Sequence, residues 1–138
     1  MLDDFLETQY RGDKETSMES ILIDVKTKIG PSADYEEFDT DIIDAINTCF
    51  GILTQLGVGP KGGFAITDAT TVWSQYTTEL TVLNLVRSYI YKKTILLFDP
   101  PASSYLVTQV EEQIKELEWR LNVEVDPKGG DEVVEELP

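Results

Sequence analysis

A chain of 138 residues with 11 basic and 26 acidic side chains has room for one domain with a buried core, and its formal charge of -15 repels phosphate backbones and anionic lipid headgroups. Histidine is absent and Cys49 is the single cysteine, which removes histidine-dependent triads, the usual zinc sites and any intrachain disulfide. Direct nucleic-acid binding is disfavoured; an acidic surface that lies near DNA and keeps it from sticking is not.

Met1-Leu2-Asp3-Asp4 lacks the basic and then apolar run of a secretory leader, and no apolar stretch approaches a membrane span, so the expected compartment is the cytoplasm. Residues 1–15 are polar and acidic, with Leu2, Phe5, Leu6 and Tyr10 as the only anchors, and read as an N-terminal arm. A capping box at Thr16-Ser17-Met18-Glu19 predicts the first helix, in which Met18, Ile21, Leu22, Val25 and Ile29 form one apolar stripe that Gly30-Pro31 ends. An acidic loop follows. The second helix starts near Asp39 or Thr40; with Asp39 as the cap, Phe38 and Ile43 would staple its entrance, and Ile42, Ile43, Ile46, Phe50 and Leu53 make its buried face as far as Gly57.

Gly57-Val58-Gly59-Pro60-Lys61-Gly62-Gly63 is the most flexible passage. It does not fit a phosphate-binding loop, because Lys61 precedes the last glycines where the template needs it after them. It reads as a connection into a short strand at Phe64-Ala65-Ile66, half of a small hairpin or an edge for another chain. Residues 67–78, with Asp68, several threonines and Trp73, compose a poor helix. A helical hairpin from Leu80 to Val125 then organises the chain. Leu83, Val86, Ile90 and Leu97 form the stripe of its first arm; Ser103 or Ser104 caps the second, striped by Leu106, Val110, Ile114, Leu117 and Leu121. Between them Phe98-Asp99-Pro100-Pro101 is a rigid corner, since neither proline can continue a helix. Val123-Glu124-Val125-Asp126 alternates like a strand, Pro127 to Gly130 turn, and the acidic end carries Val133, Val134 and Leu137.

Chemistry finds few footholds. Asp34, Glu36, Glu37, Asp39, Asp41 and Asp44 lack the central glycine of a calcium loop, and acids at a helix entrance are explained by the helix dipole. Cys49 sits in an apolar helical run as a buried thiol. Tyr89, Tyr91, Phe98 and Trp119 could stack on bases only beside a basic groove, and Lys92-Lys93 is too short to make one; the aromatics read as core or subunit contacts. No nucleophile or oxyanion site accompanies the acids, so no enzyme and no cofactor is expected.

Ser88-Tyr89-Ile90-Tyr91-Lys92-Lys93, Leu96-Leu97-Phe98-Asp99-Pro100-Pro101, Ser103-Ser104 and Glu116-Leu117-Glu118-Trp119-Arg120-Leu121-Asn122-Val123 together resemble the head-tail connector (adaptor) proteins of long-tailed bacteriophages. The resemblance is strongest from about Leu80 to Asp126. It implies a structural virion protein of the neck, assembled in the host cytoplasm as a ring, usually of twelve copies, beneath the portal. Such a ring extends the DNA channel, lets double-stranded DNA pass without specific binding and offers a surface to a stopper or tail-completion protein. On that resemblance Val123, Val125, Pro127, Val133, Val134 and Leu137 belong to a portal-binding arm. Gly59, Pro60, Lys61, Gly62, Gly63, Phe64 and Ile66 form a loop that faces the stopper or the channel. Phe98, Asp99, Pro100 and Pro101 are the structural corner, and Arg87, Tyr91, Lys92, Lys93, Trp119 and Arg120 are candidate subunit contacts. Repulsion between acidic copies must be offset by apolar contact and cation pairing.

The expected fold is therefore mainly α: a small bundle of about four helices over residues 16–122, with a loop or short β element between the second and third, and an extended acidic C-terminal arm over 123–138. The alternative is a soluble acidic DNA mimic that occupies a nucleic-acid-binding protein. A third reading, a helical bundle with metal-dependent activity, would rest on Asp39 and Asp41.

Overall fold

The computed structural model describes residues 18–31 and 34–136, with side chains as far as Val125. The arm of residues 1–15 and the box residues Thr16 and Ser17 lie outside the described residues. Four α-helices are present among them: α1 (Ile21–Ile29), α2 (Asp39–Gln55), α3 (Leu80–Phe98) and α4 (Ser104–Glu136). A short 3-10 turn, Trp73–Gln75, interrupts the crossing segment between α2 and α3. The chain is the mainly α bundle that its periodicity predicts.

α3 is the central element, packed against α1, α2 and α4, while α1 also touches α2. Its buried face is Leu83, Val86, Tyr89, Ile90 and Thr94. Ile42, Ile46, Cys49, Phe50 and Leu53 of α2 meet it from one side, with Ile114 and Leu121 of α4 on another. Ile21, Leu22, Val25 and Ile29 of α1 complete the core as their spacing predicts. Residues of one stripe lie three or four apart because 3.6 residues make a turn, so each helix presents one apolar side.

The helix entrances differ from the expected ones. Ser20 caps α1, its Oγ accepting the Ile23 N–H at 3.2 Å, and Met18 is exposed. The apolar run starts directly after Ser20, and a cap works only at the boundary it serves. For α2 the cap position is Phe38, without a side-chain hydrogen bond; Asp39 is instead the first helical residue and pairs with the buried Lys26, Nζ to Oδ1 2.7 Å. Phe38 packs on the rings of Tyr35 and Phe98, each at a centroid distance of 5.4 Å. Ser103 caps α4, accepting the Leu106 N–H at 3.4 Å.

No strand forms at Phe64-Ala65-Ile66. The β element is one antiparallel bridge between Ser20 and Val72, where the Ile21 N–H donates to Thr71 and the Trp73 N–H to Glu19. Asn47 takes the place of a neighbouring strand: its Nδ2 donates to the Ile66 carbonyl at 2.9 Å and its Oδ1 accepts the Ile66 N–H at 2.8 Å. The crossing segment is pinned to the bundle by Val58, Ile66, Trp73 and Tyr76, all buried.

The hairpin register explains two further departures. Tyr89 donates to Glu118 at 2.9 Å, and Leu96 shares a cleft with Glu111 and Ile114. Leu106 therefore falls opposite the corner, where no turn of α3 remains, and it is exposed. Leu97 is 51% exposed in the α2–α3 groove; Thr94 takes the last buried position of the stripe.

α4 also passes residues 123–130 without a break, so the expected strand and turn are not there. Ile114, Leu121 and Val125 follow helical spacing, and Val125 reaches the cleft lined by Gly57 and Val82. Helical burial of Val125 overrides the two-residue alternation with Val123. Pro127 withdraws one N–H from the ladder, the partner of the Val123 carbonyl.

Candidate assembly interface

The described residues include no group of three or more acids, cysteines or histidines placed to hold a metal. No described helix is long and apolar enough to cross a membrane. What the surface does hold is exposed apolar area.

The first patch lies at the corner. Phe38, Leu97 and Phe98 form the apolar floor of an open groove of about 760 Å³ between α2 and α3, with Asp41, Asp44 and Asp99 on its rim. The spacing of Asp41 and Asp44 puts both on the outer side of α2, above the buried Ile42 and Ile46. Tyr35 extends the aromatic floor through Phe38 to Phe98.

The second patch lies at the other end of the hairpin. Trp119 is 64% exposed and Val123, four residues on, is exposed beside it. Both line a cleft of about 420 Å³ with Arg120 of α4 and Thr81, Asn84 and Leu85 of α3. The Arg120 guanidinium pairs with Glu116 at 2.9 Å, both groups well exposed. Such a surface pair contributes about 0–1 kcal/mol and exchanges partners readily.

The other expected subunit contacts divide. Arg87 and Tyr91 face inward: Asp24, 1% exposed, accepts Arg87 Nε at 3.2 Å, Trp73 Nε1 at 2.9 Å and the Tyr91 hydroxyl. A buried carboxylate needs such partners, and this one ties α1, α3 and the crossing segment together. Burial and the hydrogen bond to Asp24 push the Tyr91 hydroxyl well above its usual range. Lys92 and Lys93 are half-buried on α3, so of that set Trp119 and Arg120 are the exposed pair.

Of the expected stopper loop, Gly59, Lys61 and Gly62 are exposed while Pro60 and Gly63 are half-covered. Ile66 is buried, and Phe64 stacks against Phe50 and Tyr76 at centroid distances of 4.9 and 5.1 Å. These two side chains belong to the core because the loop folds back on α2. In the arm, Val123 is exposed and Val125 is half-buried against the bundle. The backbones of Pro127, Val133 and Val134 are helical; their side chains and Leu137 lie outside the described residues. At the corner, Asp99 and Pro100 are exposed. Cys49 is buried 3.8 Å from the Thr94 hydroxyl, and burial pushes its thiol up to about 11.

The groove at Phe38 and the carboxylate at Asp24 are absent from the sequence-based expectations. Tyr35 and Phe38, two aromatics in an otherwise acidic loop, were the available signal for the first. Asp24 had none, since its partners lie 49 to 67 residues away.

A family model described as phage connector protein matches residues 21–128, more than three-quarters of the chain and all of the described bundle except its first residues and the end of α4. No curated protein and no solved structure matches it.

Proposed function

The chain belongs to the phage connector proteins, a structural family of the virion, and from that premise we propose that it acts as a ring-forming subunit at the neck between head and tail. In this reading one end of the ring docks on the portal and the other receives a stopper or tail-completion protein. The observation that carries it is the family match over residues 21–128. The charge of -15 supports it, since an acidic lumen repels passing duplex and leaves it free to slide. The match favours this reading over an acidic DNA mimic. The segment of α4 beyond Val125 is the portal-docking arm, and the exposed part of the Gly59–Gly63 loop is the docking surface for the next component.

The test mixes the chain with the portal protein of its own phage and looks for a ring by electron microscopy. A variant lacking residues 127–138 spares Leu121 and Val125, so its bundle stays packed. Rings with the intact chain and none with the truncated one are expected; failure of the intact chain to bind, or equal binding by both, overturns the proposal.

A further inference from the structure

We propose that the groove at the corner is filled by a second copy of this chain, which inserts Trp119 and sets Arg120 against the acids of the rim. This rests on the ring reading above and specifies the contact that closes the ring.

Three observations converge on that occupant. The first is chemical fit. The groove has an aromatic floor at Phe38 and Phe98, carboxylates at Asp41, Asp44 and Asp99, and no basic residue in its lining. A complementary ligand is a large apolar group with a cation beside it. Trp119 and Arg120 have that composition and are both exposed. An indole buries about 150–250 Å² when it enters such a site, and the groove, at about 760 Å³, has room for it.

The second observation is charge. Copies that each carry -15 repel one another, so a contact between them must bring a cation against an acid-rich surface. Of the chain's 11 basic residues, Arg87 and Lys26 are committed to Asp24 and Asp39 inside the bundle. Among the described residues Arg120 pairs with an exposed neighbour on its own helix, and a neighbouring rim with three carboxylates offers it more.

The third is placement. The groove lies between α2 and the end of α3, whereas Trp119 stands between α4 and the start of α3. Leu97 and Thr81 are separated by about 24 Å along the helix axis. A surface and its complement that lie apart on the chain make a heterologous contact. They join copies head to tail, the contact type from which rings are built when the rotation between copies closes.

The experiment uses charge reversal on the full chain with its portal as template, scored by electron microscopy and by native mass spectrometry of the assembled ring. Asp44→Arg and Arg120→Asp change exposed side chains, so thermal unfolding of the free chains should match the wild type. Each variant alone should lose ring formation at least tenfold. An equal mixture of the two should recover it, because the reversed groove of one copy accepts the reversed face of the other. Trp119→Ala should fail even in that mixture. If Trp119→Ala and Arg120→Asp build rings as well as the wild type does, the groove takes a portal or stopper segment and the proposal is overturned while the ring reading stands. If the wild-type chain itself forms no ring, both fall.

Discussion

Asn47 pairs with Ile66 through both ends of its amide, at 2.9 and 2.8 Å, so a side chain on α2 supplies the hydrogen bonds that a neighbouring strand would. Ile66 is 1% exposed, so its backbone groups depend on this amide for their hydrogen bonds. Asn47→Ala should cost about 1–3 kcal/mol in urea unfolding, because an N–H and a carbonyl both lose their partner. An unchanged midpoint would remove the amide from the account of how the crossing segment is held.

Asp24 should tolerate substitution least. Asp24→Asn keeps the shape but removes the carboxylate that the largely buried Arg87 guanidinium hydrogen-bonds, leaving it only the longer-range charge of Glu19. A loss of about 3–5 kcal/mol is expected, as for other buried pairs broken on one side. Near-UV circular dichroism should report it through Trp73, whose indole N–H loses a charged acceptor.

Gly59 and Tyr76 make opposite predictions. Gly59 has φ +86°, and a Cβ there would lie 2.6 Å from the Tyr76 ring, so Gly59→Ala should destabilise by more than about 1 kcal/mol from backbone strain alone. The Tyr76 hydroxyl is buried with no hydrogen-bond partner among the described residues. Tyr76→Phe should therefore leave the melting temperature unchanged or raise it; a clear drop would mean that the hydroxyl has a partner.

Stability should fall in alkali. Burial raises Cys49 from 9.0 to about 11 and holds the Tyr76 and Tyr89 hydroxyls above their usual range as well, with the Glu118 hydrogen bond adding to the effect at Tyr89. A folded-state value raised above the unfolded one gives stability that is complete below the unfolded value and lost as pH rises toward the folded one. Denaturant midpoints should be level up to about pH 8 and decline from pH 9 to 11, and Cys49→Ser should make that decline shallower.

The corner at Asp99-Pro100-Pro101 offers a test of geometry against stability. Pro100→Ala combined with Pro101→Ala should disturb ring formation on the portal more than it disturbs unfolding of the free chain, compared at matched stability. The two prolines limit the directions in which α4 can leave α3. Unimpaired assembly would sink this.

The helices were legible because their cores are written locally: Ile21, Leu22, Val25 and Ile29, or Ile42, Ile46, Phe50 and Leu53, repeat at the period of one helix. Trp73 and Tyr76 were not, since they sit in a threonine-rich crossing segment with no period, and only tertiary contact puts them in the core. Leu97 and Leu106 were assigned to buried stripes because periodicity identifies a face without saying where its neighbour ends. The strand read at Val123-Glu124-Val125-Asp126 failed for a related reason, as four residues fit two periods and Leu121 decided between them. The connector resemblance rested on the corner and the Trp119 run, and the family match spans both; the Asp24 contacts link residues too far apart in sequence to be read from either.

The length of α4 has a mechanical consequence. At 33 residues against the 19 of α3, it is about 50 Å long and runs past the start of α3. Its last described core contact is Val125, so the helical backbone from residue 126 to 136, about 16 Å long, is a lever whose fulcrum lies there. A bend of about 15° there carries the far end through roughly 4 Å. Two components whose attachment points differ by that much in spacing can be joined by such subunits while every core contact of the bundle stays in register.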